Sequence, residues 1–206
     1  MEINILYEDS QIVVCYKPYG LLSQQSSSEK NMVDLLTDFC GCDIFPVHRL
    51  DKQTDGLIVY AKTKKSAAIL SDFVQKRKIY KEYEALVHGN LTPEKGEMRD
   101  LLYRDKAKNK SYVVKRERKG VKAAFLEYEV LEKRIIDGDS YSLVKIVLHT
   151  GRTHQIRVQF ASRGFSLAGD RRYGGRDNFE QLQLSAVRLA FSHPTTGEQM
   201  QFSIKE

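Results

Sequence analysis

An α+β domain built on a large mixed, mainly antiparallel sheet with flanking helices is the fold class this sequence predicts. Three observations predict it. Strand-like runs outnumber helical ones, neighbouring runs joined by turn signals look antiparallel, and 206 residues with 41% hydrophobic content suffice to bury a sizeable core. There is no internal repeat and no low-complexity tract, so a single domain spanning residues 1–206 is expected, with no separate module ahead of it.

The sheet begins at the amino end. Ile3 to Tyr7 and Gln11 to Tyr16 are short β-rich runs parted by Glu8-Asp9-Ser10, and the second stops at the turn Lys17-Pro18-Tyr19-Gly20. Ser23 to Asn31 is polar and serine-rich and reads as an exposed loop, too short to link domains. Gly56 to Ala61 is a compact apolar strand. Lys64 to Lys78 carries Ala68, Ile69, Phe73 and Val74 at helical spacing, with Ser66 in position to cap. Tyr80 to Val87 alternates, placing Tyr83, Ala85 and Val87 on one face. Ala124 to Leu131 and Tyr141 to His149 are strands joined through the turn signal Asp137-Gly138-Asp139. His154 to Arg163 reads as a short helix closed by Gly164. Ala186 to Phe191 is a strand that turns at Pro194-Thr195-Thr196-Gly197 into a last strand near Met200 to Ile204.

Charge is placed unevenly. Between Arg104 and Lys122 nine basic residues face two acidic ones, a local net of +7 in a chain whose total is +6, so the remainder is close to neutral. Such a segment is either a solvated basic loop or ribbon or a grip for a phosphate backbone, which gains affinity by releasing condensed counterions. Cys15, Cys40 and Cys42 form neither a zinc knuckle nor a C-x-x-C pair and read as buried or idle thiols. No signal peptide and no membrane-spanning run is visible, and the cytoplasm fits best.

Two segments concentrate chemistry. In Val47-His48-Arg49-Leu50-Asp51-Lys52-Gln53-Thr54-Asp55-Gly56 a carboxylate stands between basic side chains and a Thr-x-Gly turn, just before an apolar strand. Asp51 there is either an oriented nucleophile or a turn cap. Thr150-Gly151-Arg152-Thr153-His154-Gln155-Ile156-Arg157 packs hydrogen-bond donors into a turn and the first turn of a helix, where His154 and Arg157, three apart, share a face. A guanidinium beside Asp51 would favour the ionised, nucleophilic carboxylate. A metal-dependent hydrolase using His48, Asp51 and His154 fits less well, because the histidines lack a compact ligand spacing.

His48-Arg49-Leu50-Asp51 with Thr54 and Gly56 resembles the catalytic motif of the RluA family of RNA pseudouridine synthases, and further segments follow in that family's order. They are Lys17-Pro18 with Gly20-Leu21-Leu22, Lys81-Glu82-Tyr83-Glu84-Ala85 with Val87 and Gly89, Thr150 to Arg157, Gly169-Asp170-Arg171-Arg172-Tyr173-Gly174, and His193-Pro194 with Thr196-Gly197-Glu198. The resemblance spans nearly the whole chain. It implies a pseudouridine-synthase fold without the small RNA-binding domain that some members carry ahead of it. It further implies a cofactor-free, metal-free isomerase acting on ribosomal or transfer RNA, with no membrane or protein partner and as a monomer.

Residue by residue, the resemblance makes Asp51 the attacking group, at ribose or base, Arg157 its cationic partner, and Tyr83 the ring that stacks on uracil. Arg49 would fill the place of the flipped uridine. Thr54, Arg152, His154 and Gln155 complete the RNA-binding set, with Arg152 meeting a phosphate or bracing the turn, and His154 orienting the base or bonding within the motif. Asp170 and Tyr173 are assigned to loop architecture. Without the motif, Tyr83 would read as a core tyrosine. Three positions depart from the family pattern: Asp55 where serine is usual, Gln159 where histidine is common, and Ser185 where histidine often precedes Ala186. A second carboxylate at Asp55 would oppose ionisation of Asp51 unless an arginine or water screens it. A non-catalytic RNA-binding or RNA-folding module on the same fold is the alternative.

Overall fold

The computed structural model describes residues 3–204. Its strands are β1 (Ile5–Glu8), β2 (Ile12–Lys17), β3 (Phe45–Pro46), β4 (Asp55–Ala61), β5 (Tyr80–His88), β6 (Lys95–Asp105), β7 (Lys110–Val114), β8 (Val121–Ile136), β9 (Asp139–Leu148), β10 (Leu184–Ser192) and β11 (Gln199–Ser203). Its helices are α1 (Met32–Cys40), α2 (Lys64–Gln75) and α3 (Gln155–Ala161). The architecture is α+β, as the sequence predicts. Two compact units are distinguished, one taking in the chain up to Lys81 and from Ala186 onward, the other Glu82–Ser185.

In the first unit the order is β1, β2, β4, β10, with β11 beside β10 and β3 beside β4. β1–β2, β2–β4, β3–β4 and β10–β11 are antiparallel. Ile12, Val14, Leu57, Val59 and Ala61 share one face of β2 and β4, and cover a core completed by Leu70 of α2 and by Leu189 and Phe191 of β10. The β2–β4 register sets Lys17 opposite Gly56, which brings the end of the Lys-Pro strand beneath the turn that carries Asp51. α2 begins one turn earlier than a Ser66 cap requires. Thr63 is its N-cap, its hydroxyl accepting from the Ser66 N–H at 3.1 Å. The helix stops at Gln75 and not Lys78, because Arg77 takes a left-handed conformation (φ 57°) while the Lys78 N–H returns to the Phe73 carbonyl.

In the second unit the order is β5, β9, β8, β6, β7, with β5–β9, β9–β8, β8–β6 and β6–β7 all antiparallel. The Asp137-Gly138 turn, at φ 53° and 87°, has the paired positive angles of a tight hairpin. α3 seats Val158 against Leu102 of β6 and Ala124 of β8. Every residue from Gln155 to Phe160 is buried, so α3 is enclosed and not an amphipathic surface helix. His154 precedes the helix in a left-handed conformation (φ 54°), one residue outside the expected start.

Candidate active site

The Asp51 turn is built from below. The Thr54 N–H bonds to the Asp51 carbonyl at 3.0 Å, closing the turn, and Gly56 follows at φ +112°. A Cβ at Gly56 would lie 2.3 Å from the Ala186 carbonyl oxygen, which explains the glycine of the Thr-x-Gly pattern. Under the turn lies Lys17, 0% exposed, whose ammonium donates to the carbonyls of Pro18 (2.9 Å), Leu21 (2.9 Å) and Lys52 (3.4 Å). One buried cation thereby ties the Lys-Pro loop to the residue after Asp51. Burial lowers the Lys17 pKa to about 8, while the charges of Asp55 and Asp51 hold it from falling further.

Asp55 accepts from the Tyr16 hydroxyl at 2.6 Å. A phenol and a buried lysine thus attend this second carboxylate. Ser23 braces the other side. Its hydroxyl donates to the Leu50 carbonyl at 2.9 Å and accepts from the Leu50 N–H at 3.1 Å, while the Tyr60 hydroxyl donates to the Ser23 carbonyl at 2.9 Å. The serine-rich loop is exposed in its interior but buried at both ends, Ser23 and Asn31. His48 accepts from the Val59 N–H at 3.3 Å. Desolvation, with a contribution from Lys81, takes its pKa down to about 3, so the ring is neutral. Asp51 itself is half-buried, Arg49 is exposed with Nη1 3.3 Å from Gln24 Oε1, and Thr54 is buried.

The second constellation surrounds Arg157. Its Nε and Nη2 donate to Asp170 Oδ2 and Oδ1 at 2.7 and 2.6 Å, a two-point pair with side chains 2% and 0% exposed. Asp170 also accepts the backbone N–H groups of Arg172 and Tyr173, both at 3.2 Å. It is at once the loop architecture that the sequence predicts and the fixed acceptor that orients Arg157. Tyr173 lies under the guanidinium, ring centroid 5.2 Å from Cζ, and its hydroxyl accepts from the Ser111 N–H (2.7 Å) and meets His154 Nδ1 (3.0 Å). Gln155 is buried and committed to protein. Its oxygen accepts from the Thr150 hydroxyl (2.7 Å) and the Arg152 N–H (3.1 Å), and its nitrogen donates to the Phe125 carbonyl (3.2 Å). Arg152 Nε donates to the Ala123 carbonyl at 3.0 Å.

Tyr83 stands on β5 opposite Ile146 of β9 and is 5% exposed. The Asp51 turn thus carries Arg49 and Thr54 within the first unit, and the second unit groups Arg152, His154, Gln155 and Arg157. Lys17, Ser23, Asp170 and Tyr173 were given no part in the chemistry by the sequence reading. Asp170 and Tyr173 stand in a quoted motif, but which buried cation the carboxylate serves is a tertiary fact. Among the described residues no group of three or more His, Cys, Asp or Glu is disposed to hold a metal ion, and no helix is long and apolar enough to cross a membrane.

Residues 11–162 match the family described as RNA pseudouridylate synthase. An uncharacterized RNA pseudouridine synthase of Bacillus subtilis (strain 168) is 34% identical over 214 residues, covering 98% of this chain and 68% of the relative. The chain belongs to the RNA pseudouridine synthase family. As a pseudouridine synthase it is an isomerase whose substrate is RNA. A ribosomal large subunit pseudouridine synthase D from Haemophilus influenzae is 35% identical over 222 residues, covering 97% of this synthase and 66% of that relative. The synthase spans about two thirds of the length of such relatives. The structure of human RNA pseudouridylate synthase domain containing 1 shares the fold, with a TM-score of 0.83 at 23% identity over 100% of this chain and 84% of that one.

Proposed function

We propose that this synthase isomerises a specific uridine in ribosomal or transfer RNA, with Asp51 as the nucleophile, as a cytoplasmic monomer, a single catalytic domain without cofactor or metal. In this reading Asp51 attacks the flipped nucleotide, the C1′–N1 bond breaks, the uracil turns, and a C5–C1′ bond forms as the bond to Asp51 is released, the C5 proton leaving to solvent and N1 taking one up. Both halves of the nucleotide stay in the pocket and nothing is oxidised. Tyr83 stacks on the uracil, Arg157 serves Asp51 as its cation, and Arg49 fills the vacated place in the RNA.

The observation that carries the reading is the bracing of the Asp51 turn. A half-buried carboxylate sits on a loop pinned by Lys17 from below and by Ser23 at Leu50, which is the positional control a nucleophile requires. The committed hydrogen bonds of Gln155 and the burial of Thr54 favour positioning roles for these two within the RNA-binding set. Arg49 and Arg152 are the members more open to a phosphate. Relatives named for the large ribosomal subunit make ribosomal RNA the first substrate to test.

The test incubates wild type and Asp51→Asn with total RNA lacking the modification and maps pseudouridine at single-nucleotide resolution. New sites with wild type alone are expected. RNA binding by wild type without any new site in ribosomal or transfer RNA would replace this reading with the non-catalytic module.

A further inference from the structure

The basic segment is not one patch. Lys106 to Asn109 form the exposed β6–β7 turn, whereas Lys115 to Gly120 form an exposed loop at the other end of β7, roughly 14 Å away by strand rise. Between them Tyr103 and Tyr112 are direct cross-strand neighbours and so share one face of the ribbon. That face is turned away from α3, because Leu102 and Val113, the alternate pair, pack toward Val158. Both tyrosines are partly exposed. Each is attended by a cation: the Arg118 guanidinium lies 4.6 Å from the Tyr103 ring centroid, and Lys110 Nζ lies 5.8 Å from that of Tyr112.

The ribbon is also tied down. The Ser111 N–H bonds to the Tyr173 hydroxyl at 2.7 Å, the Ser111 hydroxyl donates to the Thr153 carbonyl at 2.6 Å, and Arg172 Nη1 donates to the carbonyls of Lys108 and Asn109 at 3.2 and 3.0 Å. Tyr173 is the ring beneath Arg157, so the ribbon is held in register with that arginine. A solvated basic ribbon needs neither two tyrosines on its open face nor an anchor to the Arg157 shell.

We propose that the outer face of the β6–β7 ribbon binds a single-stranded stretch of the substrate RNA flanking the target uridine. Bases stack on Tyr112 and on the Arg118 plane backed by Tyr103, and phosphates are neutralised by Lys106, Lys108 and Lys110. The proposal rests on the RNA-synthase reading and names a second contact with the same substrate. Single strands are favoured over duplex because only unstacked bases offer their faces to aromatic and guanidinium planes.

Binding of a fluorescent single-stranded oligoribonucleotide to the full chain tests it, over a salt series and against the corresponding duplex. Tyr112→Ala should weaken single-strand binding about five- to hundredfold, and Tyr112→Phe should retain most of it. Arg118→Glu with Lys108→Glu, both at exposed positions, should weaken binding and flatten its salt dependence. Unchanged affinity in the charge-reversed protein, or a duplex bound as tightly as the single strand, would overturn the proposal. The affinities decide it whether or not wild type releases the C5 proton of uridine, and absence of that release would overturn only the enzymatic reading.

Discussion

Asp170→Asn isolates what the buried Arg157–Asp170 pair does. The substitution keeps the shape of the side chain and removes the charge that faces Nε and Nη2 of a guanidinium only 2% exposed. Removing one partner of a buried ion pair costs about 3–5 kcal/mol, since the remaining charge loses the two-point acceptor that faces it in a poorly solvated place. For a chain of this size each kcal/mol shifts Tm by about 2–4 °C, so a fall of about 6–20 °C is expected, nearer the lower end because Asn still accepts a hydrogen bond. Calorimetry on a double-mutant cycle with Arg157→Met gives the decisive number. In the Arg157→Met background Asp170→Asn should cost at least about 2 kcal/mol less than in wild type, as the charge it strands is no longer there. The single variant should also isomerise more slowly, because Arg157 loses the fork that fixes its plane. A Tm within about 2 °C of wild type, or equal costs in both backgrounds, would refute the assignment of Asp170 as the carboxylate that holds Arg157.

Lys17, with its pKa lowered to about 8, should give the single-turnover rate an alkaline limb near that pH, as the ammonium that clamps the Lys52 carbonyl loses its proton. The stability sign is opposite: between about pH 8 and the ordinary lysine range the unfolded chain binds more protons, so folding stability rises with pH there. Lys17→Met should lack the limb, and an identical profile would remove Lys17 from control of the turn. Gly56→Ala should fail to accumulate as folded protein, given the 2.3 Å approach to the Ala186 carbonyl and φ of +112°; a soluble variant with wild-type Tm would contradict that packing. Tyr83→Phe should bind RNA better than Tyr83→Ala if the ring stacks on uracil, and equal losses would count against stacking.

β5 and the β8–β9 hairpin were legible in the sequence from alternation and a short turn, because a buried face writes a period of two into the chain, whereas β4, buried on both faces, was legible as a compact apolar run. β6 and β7 were not. Their outer face is charged and aromatic and the chain between them is basic, so the run from Arg104 to Lys122 reads as charge before it reads as sheet. α1 was missed although Asn31 caps it, with its side chain accepting from the Asp34 N–H, and Gly41 closes it; the serine-rich approach hid a nine-residue helix. At the site, the motif residues were legible by type and order. Their partners were not, since Lys17 reaches the Lys52 carbonyl across 35 positions and Ser23 reaches Leu50 across 27, separations that only the β2–β4 register and the loop path close.

The central claim is that Asp51 drives transfer of uracil from N1 to C5, a reaction that releases one C5 hydrogen for every pseudouridine formed. RNA carrying tritium at C5 of its uridines, mixed with excess enzyme, measures that release directly. A burst of tritium into water is expected with wild type, matching the pseudouridine formed, and none with Asp51→Asn while that variant still binds the RNA. Equal release by the two proteins would contradict the role given to Asp51.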